Sequence, residues 1–213
     1  MSDAEMPGLV LAGGLSRRMG GGDKCLRPFA GATILDRIVA RLAPQVASIA
    51  LNANGDAARF ARFGLPVLAD TVEGHAGPLA GILAGLRWAR VAHPGATHMV
   101  SVASDAPFFP GDLAARLLAG AHAAGTRLAC AASAGQAHPV FGLWPVALTD
   151  DLERAMLEEG TRKVDAWTSR HGCVEVDFPL AGGVDPFFNV NRPEDLASAE
   201  ALLRGAAAGG QPA

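Results

Sequence analysis

Strong charge of either sign is missing from this 213-residue chain: 18 lysines and arginines face 21 aspartates and glutamates, a net charge of −3. A protein built to coat nucleic acid would carry a basic excess, so that class is excluded. Cysteine is scarce as well. Cys25, Cys130 and Cys173 lie far apart and form no C-x-x-C pair, which argues against a zinc site or a disulfide framework and for a reduced setting. No stretch approaches the ~18 uninterrupted apolar residues of a membrane span. The opening residues, MSDAEMPG, are acidic and hold no apolar export segment. The expectation is a cytoplasmic protein with neither membrane nor nucleic-acid partners.

What is present is a core. Half of the residues are hydrophobic and 18% are charged, a balance that buries a sizeable interior. Gly8–Ala12 is a short apolar run ending at two glycines, as a buried strand does. Thr33 and Asp36 have the spacing of a helix cap, and Ile34, Leu35, Ile38, Val39 and Leu42 recur at helical intervals until Pro44. Strands are predicted over 46–51, 65–69, 97–103, 127–132, 138–144 and 173–177. Helices are predicted over 57–63, 78–91, 110–124, 147–157, 161–169 and 192–203. The alternation predicts an α/β fold with a mostly parallel central sheet and helices on both faces. Without an internal repeat or linker, residues 7–204 are expected to form one domain between a tail over 1–6 and a frayed tail over 205–213.

The predicted first four strands end at Gly13, Asn52, Asp70 and Asp105. In an open parallel sheet, ligands bind beyond the carboxyl ends of the strands. Small, amide and acidic residues thus gather along one rim, beside the glycine-rich stretch LAGGLSRRMGGGDK (11–24). Its bare backbone can bring N–H groups close to anionic oxygens, and Arg17, Arg18 and Lys24 can neutralise charge. A surface turn with solvated arginines has the same composition. Two familiar phosphate loops are excluded. A Walker A loop would place Ser or Thr after the lysine, but Cys25 follows Lys24, and the G-x-G-x-x-G dinucleotide fingerprint is absent.

Asp105 is suited to Mg²⁺, which takes hard oxygen ligands and bridges to phosphates, and is equally suited to a turn before Pro107. Asp70 and Asn52 can offer hydrogen bonds to a base or ribose, or serve as turn residues. His138, before Pro139, faces either the ligand or a turn. Asn189 and Asn191 form an alternating pair that also fits a strand-to-helix turn.

At this point the chain resembles the molybdenum cofactor guanylyltransferases, within the nucleotidyltransferase superfamily of Rossmann-like fold. The resemblance rests on Leu11-Ala-Gly-Gly-x-Ser16-x-Arg18-Met19-Gly20-x-x-Asp23-Lys24, and on matches that follow in order. These are Asn52-Ala-Asn54, Asp70, Gly77-Pro-Leu-Ala-Gly81, Ser104-Asp105-Ala-Pro107, His138-Pro139 and Phe188-Asn-Val-Asn191-x-Pro-Glu-Asp-Leu196. The resemblance implies transfer of GMP from GTP to the terminal phosphate of molybdenum-loaded molybdopterin, with pyrophosphate released. It further implies that Leu11, Ala12, Gly13 and Gly14 contact the nucleotide and that Lys24 and Arg18 hold its phosphates. Asn52 and Asp70 would hold base and ribose, and Asp105 would bind Mg²⁺, with Asn189, Asn191 and His138 near the site. Molybdenum-insertion and molybdoenzyme chaperone proteins would be the partners.

One departure is visible: the family often has Cys before the metal aspartate and Thr or Met after it, where this chain has Ser104 and Ala106. The carboxylate itself is intact. Leu-Ala-Gly-Gly favours GTP, since cytidylyl relatives tend to carry Leu-Ala-Ala-Gly. The alternatives are a cytidylyl or sugar-phosphate transferase of the same superfamily and a GTP sensor without turnover. Lys24 and Asp105 together argue against the sensor.

Overall fold

The computed structural model describes residues 5–13, 23–72, 77–180, 183–190 and 195. Strand β1 (Gly8–Leu11) is the predicted apolar run. A small antiparallel hairpin of β2 (Pro28–Phe29) and β3 (Ala32–Thr33) follows. Helix α1 (Ile34–Leu42) starts where the sequence places it: Thr33 Oγ1 accepts from the Asp36 N–H, and the Thr33 N–H donates to Asp36 Oδ2 at 2.7 Å. This reciprocal cap satisfies two helix-end N–H groups.

Next come β4 (Ile49–Asn52), a 3-10 helix at Ala57–Phe63, β5 (Val67–Leu68) and helix α2 (Pro78–Ala92). Strand β6 (His98–Ala103) leads to α3 (Leu113–Ala123), β7 (Leu128–Ser133) and β8 (Gln136–Pro145). Helices α4 (Thr149–Leu157) and α5 (Val164–Thr168) precede β9 (Cys173–Asp177). The helices expected over 110–124 and 161–169 are shorter than the sequence suggests, and 57–63 winds as a 3-10 helix. The expected helix over 192–203 and both tails lie outside the described residues, apart from Glu5, Met6 and Asp195.

Seven strands form one sheet in the order β5-β4-β1-β6-β8-β7-β9. The pairs β5/β4, β4/β1, β1/β6 and β7/β9 are parallel, and β8 runs antiparallel between β6 and β7. Successive residues point to opposite faces of a strand, and the core is divided accordingly. Val10, Leu51, Val100 and Phe141 pack with α1 and α3. Leu9, Ala50, Met99 and Trp144 pack with α2, α4 and α5.

Polar groups inside this core are paired. Fully buried Ser101 accepts from Trp144 Nε1 at 2.7 Å and donates to the Val140 carbonyl at 2.7 Å, fastening β6 to β8. Ser101→Ala would strand the indole N–H in a dry interior, at a cost of about 1–3 kcal/mol. Urea unfolding should report that loss, and a midpoint within error of the parent would disprove it.

Candidate active site

Because β5, β4, β1 and β6 are adjacent and parallel, their carboxyl ends meet along one rim. The sequence places Gly13, Asn52, Asp70 and Asp105 there, and the sheet order brings these four ends side by side. Leu11 ends β1, and the Ala12 N–H donates to the Asn52 carbonyl at 2.8 Å. The Ser104 N–H donates to the Leu11 carbonyl at 3.2 Å, which ties the chain before Asp105 to β1. Gly14, Arg18 and Asn191 lie outside the described residues.

Lys24, the last residue of the glycine-rich stretch, lies at this rim. Its Nζ lies 3.0 Å from Asp105 Oδ2, with the two side chains only 13% and 29% exposed. The family resemblance implies separate tasks for them, one at the phosphates and one at the metal, and does not imply the pair. Asp23, next in the chain, is held 2.5 Å from Arg59 Nε. Cys25 follows Lys24 and is buried; burial, reinforced by the Asp23 charge, pushes its thiol up to about 12, which disfavours the thiolate.

Asn52 is buried at the end of β4 and uses both amide hydrogens. Its Nδ2 donates to the Leu68 carbonyl at 3.1 Å and to Asp70 Oδ1 at 2.9 Å. Asn54 completes the arrangement, donating to Asp70 Oδ2 at 2.7 Å and accepting from the Asp70 N–H at 2.8 Å. Sequence reasoning assigned Asn54 no role. The available signal was its spacing, since residues i and i+2 of an extended segment share a face. Each Asp70 oxygen thus accepts one amide hydrogen and keeps a second lone pair.

The helix α2 contributes by lacking side chains. A Cβ at Gly81 would fall 2.2 Å from Asn52 Oδ1 and 2.7 Å from Leu11 Cδ2. Glycine there lets the helix lie directly on β1 and β4 with Asn52 in between. At the helix start, Gly77 has φ +69° beside the Arg162 carbonyl and Pro78 occupies the first turn. This accounts for the spacing in Gly77-Pro-Leu-Ala-Gly81.

On the far side of Asp105, the Val190 N–H donates to the Asp105 carbonyl at 2.7 Å. Asn189, one residue earlier, is exposed there. His138 is placed differently: its ring is mostly buried, and Nε2 lies 2.7 Å from Ser133 Oγ. Among the described residues, no three His, Cys, Asp or Glu side chains converge as a metal cage. A single hard carboxylate at Asp105 nevertheless suits Mg²⁺, which commonly takes one or two carboxylates and completes its shell with water and substrate phosphates. The donor set therefore fits a cation that arrives with a nucleotide. A cavity of about 220 Å³ between β7–β9 and α5 is lined by none of Lys24, Asn52, Asp70 or Asp105.

A family model described as the MobA-like NTP transferase domain matches residues 8–173. The chain belongs to this family. Two similar proteins carry the name molybdenum cofactor guanylyltransferase. The one from Bradyrhizobium sp. (strain ORS 278) is 56% identical over 197 residues, covering 92% of each chain. The one from Mesorhizobium japonicum is 52% identical over 202 residues, covering 94% of this chain and 97% of its own. The fold is shared with the molybdopterin-guanine dinucleotide biosynthesis protein A of Archaeoglobus fulgidus, with TM-score 0.72 and 24% identity over 94% of this chain and 100% of that one. The matched region includes β1, the glycine-rich stretch and every rim residue through Asp105; Asn189 and Val190 fall beyond it.

Filling the gap at Gly81 tests the packing of this MobA-like site. Gly81→Ala should drive the Asn52 amide off Asp70, lowering GTP affinity and stability by about 1–3 kcal/mol as overpacking does. Calorimetric GTP titration and thermal unfolding check this; parental values in both would show that Asn52 does not need the gap.

Proposed function

We propose that this protein transfers GMP from GTP to the terminal phosphate of molybdenum-loaded molybdopterin, giving molybdopterin guanine dinucleotide and pyrophosphate. The observation that carries the reading is the Lys24–Asp105 pair, part-buried at the common strand-end rim of a MobA-like sheet. The guanylyltransferase relatives at 52–56% identity supply the acceptor and the base.

The chemistry follows from charge and position. An oxygen of the acceptor phosphate attacks the α-phosphorus of GTP and forms the new P–O bond. The bond from that phosphorus to the bridging oxygen breaks, and pyrophosphate leaves with the electron pair. The attacking phosphate is already anionic near neutral pH, so no strong base is needed. Such transfers depend on alignment and on stabilising charge.

Lys24 is placed to leave Asp105 for the β- and γ-phosphates, where an ammonium offsets the charge that develops as pyrophosphate departs. Arg18 adds a two-pronged donor for the same phosphates, and Leu11, Ala12, Gly13 and Gly14 supply close-approaching backbone. Asp105, once freed of Lys24, would be the carboxylate that holds Mg²⁺, which when bound would supply further charge neutralisation to the phosphates. Asn52 and Asp70, braced by Asn54, present a fixed polar edge to the base and ribose. Asn189 and Asn191 serve the acceptor side. The three free cysteines support a reducing, cytoplasmic setting.

The deciding experiment supplies molybdenum-loaded molybdopterin and Mg²⁺ with each nucleoside triphosphate in turn and identifies the product by mass spectrometry. A guanine dinucleotide from GTP alone is expected. A cytosine product would refute the base assignment, and GTP binding without any product would refute the reaction. Asp105→Ala should abolish turnover in a folded protein, and chelating the divalent ion should do the same to the parent. Lys24→Ala should weaken GTP binding as well as turnover, by about tenfold or more for a lost charge-assisted contact; unchanged GTP affinity would remove Lys24 from the phosphates.

A further inference from the structure

The reversed strand β8 creates a second polar cluster on the rim. Strands β7 and β8 are joined by a two-residue turn at Ala134 and Gly135, with φ of 49° and 78°. Two successive positive φ values are what a tight hairpin of this kind requires. Both β6 and β7 run antiparallel to β8, so β7 ends on the same side of the sheet as β6, and its last residue, Ser133, is on the Asp105 rim. Ser133 is buried, with Oγ donating to Asp185 Oδ1 at 2.7 Å and lying 2.7 Å from His138 Nε2.

A hydroxyl has one hydrogen. With that hydrogen on Asp185, Ser133 must accept from His138, which fixes the ring as the Nε2–H donor. Burial holds the His138 pKa below its ordinary value against the opposing pull of Asp185, so the ring is neutral near pH 7. The order Ser–His–Asp of an activated nucleophile is therefore absent: the carboxylate is bonded to the hydroxyl, and the imidazole gives Ser133 a proton contact instead of taking one.

The cluster instead holds a piece of chain. Asp185 Oδ1 also accepts from the Phe187 N–H at 2.9 Å, and the Asp185 carbonyl accepts from the Phe188 N–H at 3.1 Å. Phe187 is buried against His138, Phe141 and Phe178, with ring centroids 4.6, 4.8 and 5.5 Å away. Three residues on, buried Val190 donates to the Asp105 carbonyl. Asn189, exposed between these two anchors, has its position set from both ends.

We propose that Ser133, His138 and Asp185 are positioning residues for the acceptor substrate, acting by holding the 185–190 segment so that Asn189 stands beside Asp105. The inference rests on the guanylyltransferase reading and adds that the acceptor phosphate is aligned by the anchored 185–190 segment, which Ser133, His138 and Asp185 hold in place. Misplacing an aligning group by about 1 Å costs on the order of a hundredfold in rate.

The test compares Asp185→Ala with Asp185→Asn in the full-length protein. Asn keeps an oxygen that can accept from Ser133 and Phe187, whereas Ala does not. Asp185→Ala should raise KM for molybdenum-loaded molybdopterin about tenfold or more, leave calorimetric GTP affinity unchanged, and be rescued by Asp185→Asn. A parallel loss of GTP affinity, or parental acceptor kinetics in the Ala variant, would overturn the proposal. Amide hydrogen exchange over 187–190 separates this outcome from failure of the functional reading. Should the parent form no product, that reading falls, while faster exchange in Asp185→Ala alone sustains the anchoring and unchanged exchange overturns it.

Discussion

The Lys24–Asp105 ion pair joins two points 81 residues apart, one closing the glycine-rich stretch and the other following β6. Each charge is partly withdrawn from water, and such a charge must have a partner or shift its protonation. Here the two neutralise each other. A triphosphate and a divalent cation would offer each a stronger partner, because an ammonium prefers several anionic oxygens and a carboxylate prefers a doubly charged ion. In the proposed reaction, one exchange of partners would turn this ion pair into a phosphate contact and a metal ligand without burying a bare charge at any stage.

That exchange requires the two chain segments to be held in register, and the sheet does this with little material. Backbone bonds link Ala12 to Asn52 and Ser104 to Leu11, so the ends of β4, β1 and β6 cannot move independently. The close approach of α2 depends on glycine. At Gly85 a Cβ would fall 2.5 Å from Leu9 Cδ2, and at Gly81 it would meet Asn52. Two small positions one turn apart therefore set the helix-to-sheet distance, and with it the placement of Asn52 and Asp70 at the rim.

How far the sequence disclosed this depends on the range of each interaction. The Thr33–Asp36 cap, the apolar run of β1 and the break after each early strand are local features with local causes, and they are legible. The polar strand ends could be placed on one rim because parallel strands with helical crossovers leave few alternatives. Strand direction past residue 135 was not legible. A short apolar run carries no mark of orientation, and β8 pairs with β6 and β7 through backbone bonds that any sequence of suitable polarity could make. The Lys24–Asp105 contact was equally hidden. It depends on where two separate chain segments come to rest, and both residues already had a chemical explanation. Ser133 and Asp185 gave no signal, since a serine at a strand end and an aspartate before a proline are ordinary turn residues.

The reversal of β8 has a chemical consequence. A strand running parallel to β6 in that place would bring its carboxyl end to the rim and begin at the opposite edge. Running antiparallel, β8 begins at the rim, so the tight β7–β8 turn brings Ser133 and His138 to the same edge as Asp105. Asp185 then closes the arrangement from a distant part of the chain, and the segment it starts reaches Asp105 through Val190. A transfer between two phosphates needs both to be aligned on one axis. A reversed strand next to β6 lets one continuous sheet place a second, independently anchored set of groups beside Asp105.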